Sequence, residues 1–330
     1  MKRSAERPQD ATWYLIGGTV VVSAIWMARV GLAFDWKSAI VPVLACLALA
    51  GGVAVYSVRR PDERLAGCLN ATAQLIALTV VGEPLSYAVA CSGGPAWDAT
   101  FMAWDRILGL DWQAYLAFVN ARPWLAKINT TTYQSIMPQL IVVVVGLSFT
   151  GRLEACRTFV LAVALAAIAA IAISGLMPAE TVFMHLGLSQ ATAPNVPFID
   201  ESHILALRDG SLKVVSLTDG QGIIAFPSFH AALGAILARA FWHLPWARWP
   251  GLFVNLVMVV ATPVSGGHYF VDVFAGLGLA GLAMATASLV ARHGGIAPAF
   301  GKQIGAAITP RSAARPAGRR APRPARFPAR

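Results

Sequence analysis

Two short stretches of the sequence contain a histidine, and in one of them an aspartate follows, in a pattern suited to phosphoryl chemistry. His268 and Asp272 are four residues apart, so on a helix their side chains share one face within hydrogen-bond reach. A carboxylate held against one ring nitrogen fixes the tautomer and leaves the other nitrogen free to attack phosphorus. In the second stretch, His230 is predicted to protonate the departing oxygen and then to activate the incoming water or alcohol.

The same two stretches contain residues suited to binding an anion. Pro227 and Ser228 precede one predicted helix, and Gly266 and Gly267 precede another. Helix starts present unpaired N–H groups and the positive end of the helix dipole, so two converging starts are predicted to form a phosphate site. Gly267 would let the backbone approach a ligand closely. Ser228 is predicted either to donate its hydroxyl to a phosphate oxygen or to cap the helix, and both interpretations stay open.

The composition predicts that a membrane helix bundle positions these stretches. Of the 330 residues, 57% are hydrophobic and only 13% are charged, whereas soluble domains carry about 25% charged residues. Several apolar runs reach about 20 residues, which as helices would cross a hydrocarbon core of about 30 Å. We therefore predict an all-α, polytopic bundle with about eight transmembrane helices. The predicted crossings are residues 13–34, 38–58, 65–91, 129–149, 154–176, 228–243, 249–265 and 269–291.

Four regions follow from this pattern. Residues 1–91 form the first three transmembrane helices, and residues 92–128 form an interfacial segment rich in tryptophan and aspartate. Residues 129–291 form the helices that carry the two histidine stretches, with a long extracytoplasmic loop at residues 178–227. The remaining residues, 292–330, are predicted to be a disordered, basic cytoplasmic tail.

The distribution of basic residues predicts the orientation. Lysine and arginine in the short loops favour cytoplasmic termini, which places both histidine stretches at the extracytoplasmic face. The net charge of +10 depends largely on seven arginines in residues 311–330. Such a tail is expected to approach anionic membrane lipids, so no nucleic-acid partner is predicted. The composition and the lack of eukaryotic targeting signals favour a bacterial inner membrane.

The cysteines give no sign of a metal site. No CxxC pair occurs, and no histidine lies at metal-ligand spacing from a cysteine. We predict neither a metal nor another cofactor, and interpret the cysteines as small core residues. They are Cys46, Cys68, Cys91 and Cys156.

Three motifs in the sequence resemble the type 2 phosphatidic acid phosphatase (PAP2) superfamily, and most closely its inositolphosphorylceramide synthase branch. One motif is Pro-Ser-Phe-His at residues 227–230, and another is Gly-Gly-His-Tyr-Phe-Val-Asp at residues 266–272. The third, Asp-Arg-Ile-Leu-Gly-Leu-Asp-Trp, occupies residues 105–112. The resemblance extends over roughly residues 97–291.

The resemblance implies a six-helix core with an extracytoplasmic active site and no metal. It implies that His268 is the nucleophile, Asp272 its partner and His230 the acid and base. The implied activity is that of an acid phosphatase or phosphotransferase acting on lipid phosphates through a phosphohistidine. Hydrolysis and transfer to a polyol or sugar share the first half-reaction, so both stay open.

The sequence departs from the family pattern in its cationic residues. It lacks the Lys-x6-Arg-Pro motif, and Thr262 occupies the position of an arginine six residues before the nucleophile. Arg208 and Lys213 are the candidates to replace these cations in phosphate binding, with Arg106 as a third. Alternatively, these residues are ordinary solvated loop charges.

Further polar residues define the remaining expectations. Asp105, Arg106, Tyr133 and Gln134 are predicted to line a headgroup pocket, although interfacial packing is the alternative. Glu83 lies in an apolar run beside Pro84, and the sequence leaves open whether it is neutral, paired or part of a polar path. A rival interpretation from another class is a proton- or ion-coupled transporter that uses the same histidines and acids.

Overall fold

The computed structural model describes residues 8–189 and 202–293, and helices dominate that part of the chain. The predicted tail, apart from its first residues, and residues 190–201 of the predicted loop lie outside the described residues. The described helices are α1 (Pro8–Val30), α2 (Trp36–Ala54) with a π-helical extension (Val55–Arg59), α3 (Glu63–Cys91), α4 (Asp98–Ile107), α5 (Trp112–Asn120), α6 (Pro123–Tyr133), α7 (Ile136–Phe149), α8 (Leu153–Leu176), α9 (Val182–His185), α10 (Ser202–Arg208), α11 (Phe229–Phe241), α12 (Arg248–Ser265) and α13 (Phe270–His293). The predicted all-α membrane bundle is thereby confirmed.

Aspartate side chains cap several helix starts. The carboxylate of Asp35 accepts from the backbone at the start of α2, and Asp111 does the same for α5. Asp62 accepts from two backbone N–H groups at the start of α3, at 2.9 and 3.1 Å. Each contact satisfies donors that a helix start leaves unpaired, so the local sequence fixes where these helices begin.

The centre of the bundle is α8, which packs against α1, α3, α11 and α13. Alanines at several positions of α8, including Ala164, Ala166 and Ala170, are completely buried. Small side chains let helix backbones approach closely, and this packing drives helix association in a membrane. By contrast, α2 presents large apolar side chains such as Val41, which is 75% exposed. A helix with this exposure is suited to contact with lipid.

Five helices are long and apolar enough to cross a membrane, namely α1, α2 with its extension, α3, α8 and α13. Helices α6 and α7 add a sixth span if they count as one, although they meet at a bend of 47°. The predicted total of eight is therefore not confirmed. The predicted sixth crossing is α11, whose 13 residues give a length of about 20 Å. The predicted seventh crossing, α12, carries Arg248 and Asn255 and is not among the candidate spans.

A short parallel sheet of two strands, each two residues long, links the α1–α2 connection to the loop before α11. Strand β1 (Ala33–Phe34), between α1 and α2, pairs with β2 (Val214–Val215) in the loop before α11. The α1–α2 connection and this loop therefore lie at the same end, as the predicted topology requires. The loop then continues to the start of α11.

The segment at residues 92–128, predicted to lie at the membrane interface, is partly buried in the protein. Within it, α4 and α5 pack against the starts of later helices, and Trp112 is 1% exposed rather than at a headgroup surface. Helix α6 also runs through the predicted boundary at residue 129. Trp124 does remain exposed, as an interfacial indole would be.

Candidate active site

The starts of α11 and α13 meet in the structure. The backbone N–H of Ser228 donates to the carbonyl oxygen of Asp272 at 3.0 Å. One turn further along α13, a Cβ atom at Gly276 would lie only 2.3 Å from the carbonyl oxygen of Ser228. The absence of a side chain at Gly276 therefore permits this close approach. The contact brings the two histidine stretches together.

His268 and Asp272 form a buried pair. Nδ1 of His268 lies 3.3 Å from Oδ2 of Asp272, and the two residues are 5% and 0% exposed. Oδ2 of Asp272 also accepts from the backbone N–H of Tyr269 at 2.9 Å. With the carboxylate ionised, Nδ1–H is the donor and Nε2 keeps a free lone pair. The i,i+4 spacing thus produces an oriented imidazole.

Asp105 of α4 caps α13 from a distant part of the chain. Its two carboxylate oxygens accept from the backbone N–H groups of Phe270 and Val271, each at 2.9 Å. Burial raises the pKa of Asp105, and the two backbone hydrogen bonds oppose that rise. Together with the bond from Tyr269 to Asp272, this contact occupies the first N–H groups of α13. At this helix start, predicted to help cradle a phosphate, carboxylates therefore accept from the first backbone donors.

A second acid on α4, Asp98, is also part of this region and was missed by sequence reasoning. Its Oδ1 accepts from the hydroxyl of Tyr269 at 3.0 Å, and its Oδ2 accepts from the backbone N–H of Glu180 at 3.1 Å. Burial and then the charge of Asp98 raise the pKa of Tyr269. Asp98 and Asp105 are seven residues apart, which is two helical turns. This spacing in the sequence indicates that the carboxylates of Asp98 and Asp105 lie on the same face of α4.

The loop that carries His268 is held in place by α5 and α9. Nε1–H of Trp112 donates to the carbonyl oxygen of His268 at 3.1 Å, and the N–H of Val182 donates to that of Gly267 at 2.9 Å. Gly267 has φ = +65°, and a Cβ atom there would lie 2.8 Å from the ring of Phe183. Protein packing therefore occupies the space beside Gly267 that the sequence assigned to a ligand.

His230, in the first turn of α11, stacks on Tyr133. The ring centroids are 4.1 Å apart and the planes differ by 8°. The hydroxyl of Tyr133 also approaches Gly266, where a Cβ atom would lie 2.4 Å from it. Tyr133 is thus placed between the two histidine stretches, at the end of α6.

Both histidines line one cavity of about 650 Å³. Of the four residues predicted for a headgroup pocket, Tyr133 and Gln134 line this cavity, whereas Asp105 and Arg106 do not. Most other lining side chains are apolar and come from α3, α7, α8 and α11. They include Leu75, Leu78, Ile136, Leu140, Val163 and Leu233. A cavity lined by polar groups together with apolar side chains suits an amphiphilic ligand.

Glu83 of α3 lines the same cavity. Its Oε1 is buried and has no hydrogen-bond partner in the described part of the chain. A Cβ atom at Gly220 would lie 1.4 Å from this oxygen, so the loop before α11 packs directly against the carboxylate. The cavity thus connects the histidines with an acid whose role the sequence left open.

The predicted phosphate-binding cations lie away from the cavity. Arg208 forms an ion pair with Glu180, and its Nη2 also contacts the carbonyl oxygen of Gly94 at 3.5 Å. Lys213 and Arg106 are exposed. Among the described residues that line the cavity, none is arginine or lysine. The structure therefore does not bring these three cations together with the histidines.

Thr262 and Ser228 both make local hydrogen bonds. The hydroxyl of Thr262 donates to the carbonyl oxygen of Met258 within α12, at 2.8 Å. The hydroxyl oxygen of Ser228 accepts from the N–H of Ala231 at 3.4 Å, which is the capping arrangement. Ser228 is 0% exposed and is not among the cavity-lining residues. Within residues 8–189 and 202–293, no group of three or more His, Cys, Asp or Glu residues is placed to hold a metal ion.

Comparison with known proteins gives one family match. The model of the PAP2 superfamily matches residues 99–286, more than half of the chain. A search of curated proteins and a search of solved structures each gave no match. The matched region begins in α4 and ends in α13, and it includes both histidine stretches and Asp105.

Proposed function

The chain belongs to the PAP2 superfamily, and from that premise we propose that it is a membrane enzyme acting on lipid phosphate esters through a phosphohistidine on His268. The observation that carries this proposal is the buried His268–Asp272 pair in a cavity that His230 also lines. An oriented imidazole and a second imidazole at one cavity are the groups that two-step phosphoryl transfer needs.

In the proposed first step, Nε2 of His268 attacks phosphorus while the bond to the lipid oxygen breaks. His230 gives its proton to the departing oxygen, so an alcohol leaves and a phosphohistidine remains. Asp272 stabilises the positive charge that develops on the ring of His268. In the second step, His230 takes a proton from water or an alcohol, whose oxygen attacks phosphorus and restores His268.

The proposed substrate is a lipid because of the walls of the cavity. Leucine and isoleucine side chains from α3 and α7 suit an acyl or prenyl chain, while the histidines supply polar groups for the phosphate. The phosphate is then held by the imidazoles and by the first turn of α11, where the amides of Phe229 and His230 lie.

A second candidate is transfer to a polyol or sugar, the reaction of the inositolphosphorylceramide synthase branch. Glu83 favours it, because a carboxylate on the wall of the same cavity can accept hydrogen bonds from acceptor hydroxyls. In this proposal the acceptor hydroxyl replaces water in the second step. Glu83→Gln should then lower the yield of transfer product more than the release of inorganic phosphate.

The test uses the purified full-length protein in detergent with phosphatidic acid, prenyl pyrophosphates or phosphoinositide-type lipids, each with and without a polyol acceptor. Release of inorganic phosphate indicates hydrolysis, and a new phosphorylated product indicates transfer. His268→Ala should abolish both, whereas the matched variant His243→Ala should retain activity, because His243 lies beyond the far end of α11 from His230 and is not among the cavity-lining residues. Full activity of folded His268→Ala would refute the proposal.

A further inference from the structure

The bundle contains a second cavity, of about 490 Å³, at the end away from His268. The beginning of α8, the ends of α11 and α13, and the turn after α11 line it. Asp272 and Arg292 are 20 residues apart on α13, which at about 1.5 Å per residue separates them by about 30 Å. The cavity therefore lies across the bundle from the candidate active site.

Basic side chains from two helices and two connecting segments meet at this cavity, namely Arg152, Arg239, His243 and Arg292. Nη1 of Arg239 donates to Nε2 of His243 at 2.6 Å, so that ring nitrogen carries no proton. Burial, followed by the guanidinium groups of Arg239 and Arg152, lowers the pKa of His243. A neutral histidine beside these arginines indicates an excess of positive charge.

The chain does not neutralise these arginines within residues 8–189 and 202–293. Nη1 of Arg152 is buried without a hydrogen-bond partner there. The acid at the edge of the cavity, Glu154, pairs instead with Arg157 at 3.2 Å, and its side chain is 70% exposed. No ion pair in the described part joins Arg152, Arg239 or Arg292 to a carboxylate. Arg239 and Arg292 are exposed and Arg152 is half-buried, and a cluster of cations without carboxylate partners favours the binding of an anion.

The remaining lining is apolar and includes Phe159, Ala162, Ile236 and Met284. One guanidinium group can bind two phosphate oxygens through two parallel N–H···O hydrogen bonds. The apolar wall suits the first carbons of an acyl chain. We propose that this cavity binds the phosphate headgroup of an anionic phospholipid from the leaflet opposite the candidate active site. The proposal uses residues outside the catalytic cavity and does not depend on the proposed function.

The test is a titration of the purified full-length protein in neutral detergent with phosphatidylglycerol, phosphatidylcholine or inorganic phosphate. Native mass spectrometry counts bound lipid, and thermal unfolding reports stabilisation. Phosphatidylglycerol should bind saturably and more tightly than phosphatidylcholine. Because each lost guanidinium contact weakens phosphate binding by about tenfold or more, the double variant Arg152→Gln/Arg239→Gln should show a large loss of affinity.

Two further variants make the result specific. Arg60→Gln removes an exposed cation that does not line the cavity, so it should bind like the wild type. Arg239→Lys keeps the charge but loses the planar fork, so its affinity should fall between the wild type and the double variant. Unchanged binding by the folded double variant, or an equal loss in Arg60→Gln, would overturn the proposal. Equal binding of inorganic phosphate without any preference for phosphatidylglycerol would overturn the assignment to a lipid.

Discussion

Replacing Asp105 by asparagine should loosen the start of α13 and thereby misplace His268. The carboxylate makes two 2.9 Å hydrogen bonds to the N–H groups of Phe270 and Val271. The amide of asparagine offers a single acceptor oxygen, so one backbone donor is left buried and unpaired. A hydrogen bond to a charged group contributes about 1.5–3 kcal/mol. We therefore expect Asp105→Asn to lose roughly 2–3 kcal/mol of stability.

The same variant should lower kcat more than it changes KM. His268 lies immediately before the capped turn, and a displacement of about 1 Å at a reacting group can cost about a hundredfold in rate. Because Asp105 does not line the cavity, contacts to the lipid headgroup should persist. Thermal unfolding in detergent measures the stability loss, and phosphate release at varied lipid concentration separates kcat from KM.

Asp111→Asn is the matched control for this prediction. Asp111 caps α5 through a 2.9 Å bond from the N–H of Ala114, and asparagine caps a helix start about as well as aspartate. Its unfolding temperature and kinetics should therefore stay near those of the wild type. The capping account is refuted if Asp105→Asn has the unfolding temperature of this control and a KM raised several-fold. That result would indicate that Asp105 contacts the headgroup.

Three other substitutions test neighbouring contacts. Asp272→Asn should keep the fold but lower kcat by about 10²- to 10⁴-fold, because the amide no longer holds the required tautomer of His268; normal turnover would contradict this. Tyr269→Phe removes the hydroxyl bond to Asp98 and should cost about 1–3 kcal/mol in denaturant unfolding, since a buried acceptor loses its partner; unaltered stability would argue against the bond. Gly276→Ala should lower both unfolding temperature and activity because the helices must separate, and a wild-type unfolding temperature would contradict the close contact.

Local spacing explains what could be predicted about the site. The i,i+4 spacing of His268 and Asp272 predicts that the two side chains meet, and the structure contains that pair, although His268 lies two residues before α13 begins. The predicted topology also put the starts of α11 and α13 at one end, where they meet. Both inferences need only helix geometry and the alternation of apolar runs.

Contacts between distant segments explain what was missed. Asp105 precedes Phe270 by 165 residues, and no local pattern shows that it would cap α13 in place of a phosphate. Arg208 likewise pairs with Glu180 across a loop, although its charge and position suggested a ligand contact. The sequence shows which residues are ionisable, but the partners of those residues depend on tertiary packing.

The predicted eight crossings are not confirmed, because apolar runs do not reveal where helices break or end. Pro138 has no N–H to donate and crowds the carbonyl four residues earlier, at Gln134. The bend between α6 and α7 lies at that position, inside one predicted crossing. Helix α11 ends at Phe241, short of the length that about 30 Å of hydrocarbon requires.

Direct detection of the phosphorylated residue tests the central claim. The full-length protein would be mixed with a lipid whose phosphate is radiolabelled, quenched within one turnover and digested for peptide mapping under alkaline conditions that preserve phosphohistidine. The account predicts acid-labile label on the peptide containing His268, with no label in His268→Ala and normal labelling in His243→Ala. Label on another residue, or rapid turnover with no labelled protein at any time point, would contradict it.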